Sequence, residues 1–185
     1  MAAIEPTLAG PIFNAHMRIL RQIAGESTFA RALSKLDADV QLTVNTSAGI
    51  GWVPFTVIES VVNAVADETG RTVESLQREM VFTTTKDVLS GMWKMLAKAL
   101  SPELIVSRIG LLWSRTYHPG KIHAESPAPN TATVRVTEFG APSDYLLRGM
   151  SLTLEALLTE LGRRAVRVKT ERTSDGAVLH VHWRT

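Results

Sequence analysis

The chain has 185 residues, enough to bury a core without disulfides or a structural metal, and its 45% hydrophobic and 21% charged composition excludes a disordered protein. It contains no cysteine, which excludes disulfides, thiolate zinc sites, iron–sulfur clusters and a cysteine nucleophile. The formal charge of +2 is too small to imply nucleic acid, and it is unevenly spread: residues 1–100 carry net −1 and residues 101–185 net +3. No stretch approaches the roughly 18 apolar residues of a spanning helix. The N-terminus lacks the basic start and apolar run of a secretory signal, so a cytoplasmic protein with no membrane partner is expected.

From Leu8 to Ile23 apolar residues recur at helical spacing, with Pro11 tolerable only in the first turn, which predicts a helix ending near Gly25. Ser27 is the expected cap of a second helix that runs through Phe29, Leu33 and Leu36 and stops at Asp37–Asp39. Val40 to Val44 reads as extended and Asn45 to Gly51 as loop. Trp52-Val53-Pro54 leads into a third helix whose broad apolar stripe, Phe55, Ile58, Val61, Val62 and Val65, marks it as central; Gly70 closes it. Thr72 is the expected cap of a fourth helix through Val73, Leu76 and Met80, interrupted at Thr83–Thr85. Val88 to Leu100 predicts a fifth, and Ser101-Pro102-Glu103 opens a sixth with Ile105, Ile109, Leu112 and Trp113 inward.

At His118-Pro119-Gly120 the apolar period changes from near 3.6 to 2. Ile122 and Ala124, then Ala132, Val134 and Val136, alternate with polar residues, which predicts a hairpin with one wet face. Pro142-Ser143 starts a seventh helix with Leu146, Leu147, Met150, Leu154, Leu157, Leu158 and Leu161 inward and Gly162 as its stop. A second hairpin crosses Ser174-Asp175-Gly176, with Ala165, Arg167 and Lys169 opposite in sense to Val166 and Val168, and Leu179, Val181 and Trp183 opposite to His180, His182 and Arg184. The expected fold is α+β, one domain over 1–185: a helical part of about six helices over 1–117, then a ββαββ part over 118–185 whose four-stranded antiparallel sheet packs on a helix.

Pooling the outward strand positions gives Lys121, His123, Arg135, Arg167, Lys169, His180, His182 and Arg184, offset mainly by Glu125 and Glu171. Such a face suits an anion or an acidic partner, while an ordinary solvated face that discourages aggregation is the simpler explanation. It has no aromatic residue for stacking bases, so nucleic acid is not expected. His180 and His182 share a strand face at metal-clip spacing, but two ligands are not a site, and no metal is expected. The large apolar residues Trp52, Phe55, Trp93 and Trp113, with His16 on the first helix, are candidates for a small apolar ligand pocket or a homodimer face; core packing explains most of them. The cluster Trp113-Ser114-Arg115-Thr116-Tyr117-His118-Pro119-Gly120 offers polar groups at a helix-to-strand corner, for which a turn with its cap is the simpler explanation. No nucleophile has a base and an orienting carboxylate at motif spacing, Gly49-Ile50-Gly51 lacks the third glycine of a dinucleotide loop, and no enzyme activity is expected.

Leu112 to Gly120, the hairpin after it, Arg148-Gly149 with Leu161-Gly162, the terminal Val181-His182-Trp183 and the Gly51-Trp52-Val53-Pro54 helix entry together resemble an uncharacterised family of about this size, multiplied as paralogues in myxobacteria. More distantly, helices followed by ββαββ resemble the ligand-binding fold of haem nitric-oxide sensors, vinyl-reductase-type small-molecule-binding domains and TRAPP subunits. That resemblance implies a non-enzymatic sensory or protein-interaction module, with a helical pocket or a dimer interface; a scaffolding subunit that binds an acidic partner is the alternative. The haem sensors place a proximal histidine on a helix before the sheet and carry a Tyr-x-Ser-x-Arg signature. Here Lys86 to Leu100 contains no histidine and Trp113-Ser114-Arg115-Thr116-Tyr117 is not that signature, which leaves His16 and His118 as substitutes and makes no cofactor the expectation.

Overall fold

The computed structural model describes residues 5–46, 51–89, 110 and 113–184. The chain divides into a helical unit, Thr7–Thr84, and a sheet unit, Thr85–Thr185, with which Met1–Pro6 groups. The α+β class is as the change of period requires.

The helical unit begins with β1 (Thr7–Ala9), which pairs antiparallel with β2 (Trp52–Pro54) so that Leu8 faces Val53, both buried. Leu8, expected on the first helix, is therefore a strand residue: pairing across the chain overrides its helical spacing. Helix α1 (Gly10–Ala24) carries Pro11 in its first turn and buries Phe13, Met17, Ile19 and Leu20. Gly25, at φ 79°, joins it to α2 (Glu26–Ser34), since its N–H donates to the Arg21 carbonyl (2.8 Å) and its own carbonyl accepts from Phe29 (3.0 Å). That positive φ suits glycine and already turns the chain, so Ser27 lies inside the helix and is not its cap.

The stretch Val40–Val44, expected to be extended, is helical within α3 (Ala38–Thr46). Its two threonines turn their hydroxyls back onto the helix, Thr43 Oγ1 donating to the Asp39 carbonyl (2.8 Å) and Thr46 Oγ1 to that of Leu42 (2.7 Å). Only Val44 is buried there, so no clear stripe marks the helix in the sequence. Asn45 and Thr46, expected as loop, complete it, and Gly49-Ile50 lies outside the described residues.

Helix α4 (Phe55–Thr69) is central as expected: it touches α1, α2 and α3, and Val61, Val62 and Val65 are at most 1% exposed. Gly70, left-handed at φ 66°, closes it. Glu68 at its end takes ion pairs from Arg31 (3.1 Å) and Lys35, on and just after α2, which hold its carboxyl below the usual range. Helix α5 (Val73–Val88) is capped by Thr72, whose Oγ1 accepts the Ser75 N–H at 3.2 Å. The expected interruption at Thr83–Thr85 does not occur, because the buried stripe Leu76, Met80 and Thr84 keeps one face inward throughout. The proposed fifth and sixth helices fall largely outside the described residues; residues 113–116 are helical.

The sheet unit contains β3 (Tyr117–His118), β4 (Lys121–Glu125), β5 (Thr131–Thr137), α6 (Asp144–Glu160), β6 (Arg164–Thr173) and β7 (Gly176–Arg184), with a cis peptide at His118–Pro119. The two predicted hairpins join in one antiparallel sheet of order β4-β5-β7-β6. Its inner face buries Ala132, Val134, Val136, Leu179, Val181 and Trp183. Helix α6 lies on that face, tied by Ser151 to Thr170 of β6 and opened by Ser143, whose Oγ accepts the Leu146 N–H at 3.2 Å. Its buried residues are Tyr145, Leu146, Met150, Leu152, Ala156 and Leu158. Leu147, Leu154, Leu157 and Leu161, expected inward, are only half-buried, because leucine on both flanks of the helix blurs the stripe. Gly176 admits no side chain, since a Cβ there would stand 2.1 Å from the Val136 carbonyl oxygen. Among the described residues no helix is long and apolar enough to cross a membrane.

Candidate functional site

Strand alternation and α6 on one side leave the other side of the sheet open, and the register fixes what stands there. His123, Arg135, Val178 and Glu171 form one cross-strand row; Glu125, Thr133, His180 and Lys169 form the next; Thr131, His182 and Arg167 form a third. Lys121, His123, Arg135, Arg167, Lys169, His180, His182 and Arg184, the eight residues expected to point outward, are all exposed. Val178 stands among them yet is 7% exposed, sitting between the Arg135 and Glu171 positions where long side-chain stems can cover it.

The charges on this face are not evenly compensated. Lys169 contacts Glu171 at 3.0 Å, with His180 at 3.9 Å on its other oxygen, and Lys169 chiefly holds the Glu171 carboxyl below the usual range. Lys121 pairs with Glu138 (2.6 Å) and Arg172 with Asp144 (2.6 Å). At the end where β6 begins and β7 stops, Arg164 lies directly opposite Arg184, and Arg167 opposite His182. Like charges directly opposite cost a few tenths to about 1 kcal/mol.

Arg164 is the residue that strand alternation misses. Three positions before Arg167, it would face inward in a regular strand. A register shift between Arg164 and Arg167, with Ala165 at φ 48°, brings both arginines to one side. A non-glycine residue in that conformation costs about 1–2 kcal/mol. Neither the bulge nor its position is written in residue type; the only hint is the pair Arg163-Arg164 directly after the helix-ending Gly162.

Of the apolar candidates, Trp52 and Phe55 lie in the helical unit and Trp113 in the sheet unit. Trp52 is 45% exposed on β2, where it pairs with Ala9, and Phe55 opens α4, half-buried. Trp93 lies outside the described residues. Trp113 is buried in an aromatic cluster, its ring 4.4 Å from Tyr117 and 5.1 Å from Phe139. The Tyr117 hydroxyl, hydrogen-bonded with Thr153, has its pKa raised by burial. The Trp113 indole Nε1 is buried, with no hydrogen-bond partner among the described residues.

His16 on α1 is partly buried, with its Nδ1 shielded and without a hydrogen-bond partner among the described residues, and burial lowers its pKa to about 4, so the ring is neutral near pH 7. A neutral imidazole can bind a metal. However, a ligating histidine normally donates its second nitrogen to a supporting acceptor, and among the described residues no carboxylate or carbonyl accepts from His16 Nδ1. His118 is exposed, His123, His180 and His182 stand on the open sheet face, and no histidine occurs between His16 and His118. The side chains present therefore do not fit a haem held by a supported proximal histidine. Among the described residues there is no group of three or more potential ligands for a metal ion.

No family model matches the chain, and no curated protein is significantly similar in sequence. Solved structures are similar in fold. The Fe(II) unliganded H-NOX protein from K. algicida is similar over 96% of this chain and 97% of its own, with a TM-score of 0.70 and 8% identity. An oxygen-binding H-NOX domain related to soluble guanylate cyclases, in its oxygen complex, covers 96% and 95%, with a TM-score of 0.66 and 12% identity. A point mutant of the T. tengcongensis H-NOX covers 96% and 98%, with a TM-score of 0.65 and 11% identity. The chain thus has the fold of the H-NOX domains, one of the resemblances that its helices followed by ββαββ carry.

Proposed function

We propose that the chain is a non-enzymatic sensory module that binds a small apolar ligand through its helical unit without haem iron. The observation that carries this reading is a likeness to H-NOX structures that spans 96% of this chain and 97% of the other, combined with the lack of a supported iron-ligating histidine. One of those neighbours is described as oxygen-binding. A fold does not transfer its chemistry, and on this reading apolar contacts of the helical unit, where Trp52 is 45% exposed, hold the ligand in place of iron. Such a use is that of the vinyl-reductase-type small-molecule-binding domains, and a kinship with the myxobacterial paralogues would sit within it. The lack of cysteine agrees with a cytoplasmic location.

Native mass spectrometry of the purified full chain, before and after denaturation, tests the reading. The expected result is a mass difference of a few hundred daltons or less that is lost on unfolding, and restored by adding back the extracted compound. Equal masses in both states, together with no change in tryptophan fluorescence on titration with short-chain fatty acids or indoles, contradict it.

A second reading is favoured by the sheet. The exposed cations Arg135, Arg167 and Arg184 suit a scaffolding subunit that assembles as a homodimer and meets an acidic partner on this face. Light scattering over a range of concentrations decides the assembly part, since a strictly monomeric species rules it out.

A further inference from the structure

The outer face of the sheet is not uniformly basic. Where β6 begins and β7 ends, Arg164, Arg167, His182 and Arg184 are exposed in two adjoining cross-strand pairings, and no carboxylate contacts any of them among the described residues. Elsewhere in the unit Lys169, Lys121 and Arg172 each have an acidic partner. The bulge at Ala165 places Arg164 on the same side as Arg167, directly opposite Arg184. Bulges recur next to functional sites because they re-aim a side chain. A strained residue and an opposed pair of guanidinium groups both work against folding, and both serve to gather cations at one point.

We infer that this corner docks a phosphorylated side chain of a partner protein. Residues directly opposite on neighbouring strands stand about 5 Å apart, and the next row on the same face about 7 Å away. One group can therefore touch two or three of the arginines together. A phosphate monoester presents three acceptor oxygens and a charge near −2, whereas a carboxylate carries one charge. Guanidinium forks match phosphate oxygens bidentately, and either protonation state of His182 can donate a further hydrogen bond. The corner is open to water, so a free anion would gain little there, and the flanking surface of a partner must supply the remaining contacts. A nucleic acid is disfavoured, because no aromatic side chain stands at the outward strand positions to stack a base. The inference is independent of the ligand reading, since it uses no residue of the helical unit.

The test is a fluorescence-anisotropy titration of the full chain against a degenerate peptide library fixed only at one phosphoserine, beside the same library with serine or glutamate, inorganic phosphate and oligo-dT. The expected result is binding at least tenfold tighter to the phosphoserine library than to either peptide control. Arg184→Gln and Arg167→Gln should each weaken it tenfold or more, with Arg135→Gln, two rows away, staying within twofold. Thermal melts establish that the variants fold; Arg184→Gln, relieved of an opposed charge, should melt no lower than the parent. No preference for phosphoserine, or an equal loss from Arg135→Gln, overturns the inference. So does tighter binding of oligo-dT, which would make the face a nucleic-acid surface, or of inorganic phosphate, which would remove the partner.

Discussion

The same side chain meets opposite conditions in the two units. The helical unit holds one of the chain's five histidines, His16, with its Nδ1 shielded and unpartnered among the described residues. The sheet unit holds His118, His123, His180 and His182, all exposed. Burial keeps the first neutral near pH 7, while the register gathers three of the others among cations on an open face. This contrast is what the two proposals rest on, an uncharged ligand for the helical unit and an anionic one for the sheet unit, and it comes from packing and strand pairing, not from residue type.

The contrast can be broken most severely at a glycine of the sheet. Gly176→Ala would drive a Cβ against the Val136 carbonyl oxygen at 2.1 Å, which the backbone must move to relieve. Urea unfolding should show a loss of about 3 kcal/mol or more. Gly70→Ala in the helical unit meets no atom within 4 Å and needs only its φ of 66°, so the same measurement should show about 1–2 kcal/mol. Equal losses would mean that the close approach of β5 and β7 is relaxed in solution.

Acid should distinguish the units next. The folded chain holds His16 at a pKa of about 4 against 6.5 when unfolded, so between those values the unfolded chain takes up a proton that the folded chain refuses. The stability that a neutral His16 retains is present in full above pH 6.5 and is lost as the pH falls towards 4. At pH 4.5 the loss should reach about 2–3 kcal/mol by linkage. Comparing denaturant midpoints of the parent and His16→Leu at pH 7 and 4.5 isolates it from the carboxylates, which titrate in both. An identical acid response in the two proteins would show that His16 is solvated. Smallest are the helix caps: Thr72→Ala in the helical unit and Ser143→Ala in the sheet unit should each cost about 1 kcal/mol. A negligible effect at one of them would mark that cap as formed by other groups.

How much of this is legible in the sequence follows the same division. The strands of the sheet unit repeat every two residues, and one face is wet, so alternation alone places the eight outward residues and finds both hairpins. It misses Arg164, because a bulge breaks the alternation without a residue that announces it. In the helical unit, Gly70 and Thr72 end and begin helices by their own conformational chemistry, which the sequence displays. Val40–Val44 reads as extended because β-branched residues favour strands, yet it is helical, and with Val44 alone buried in α3 no apolar stripe announces that. The threonines near Thr84 look like a break, yet Thr84 is 5% exposed on a stripe that runs the length of α5. The apolar candidates are the least legible: Trp52, Phe55 and Trp113 are all large aromatic residues in the sequence, and only packing sorts an exposed ring from a buried one.

On the function proposed above, the H-NOX fold serves here without iron. Titrating haem into the full chain and recording its absorption spectrum tests it most directly. Stoichiometric haem should produce no saturable, sharpened Soret band, and the parent and His16→Ala should give the same spectrum. A one-to-one complex with a sharp Soret band that His16→Ala abolishes would contradict the claim and make this chain a haem protein with its ligand on the first helix.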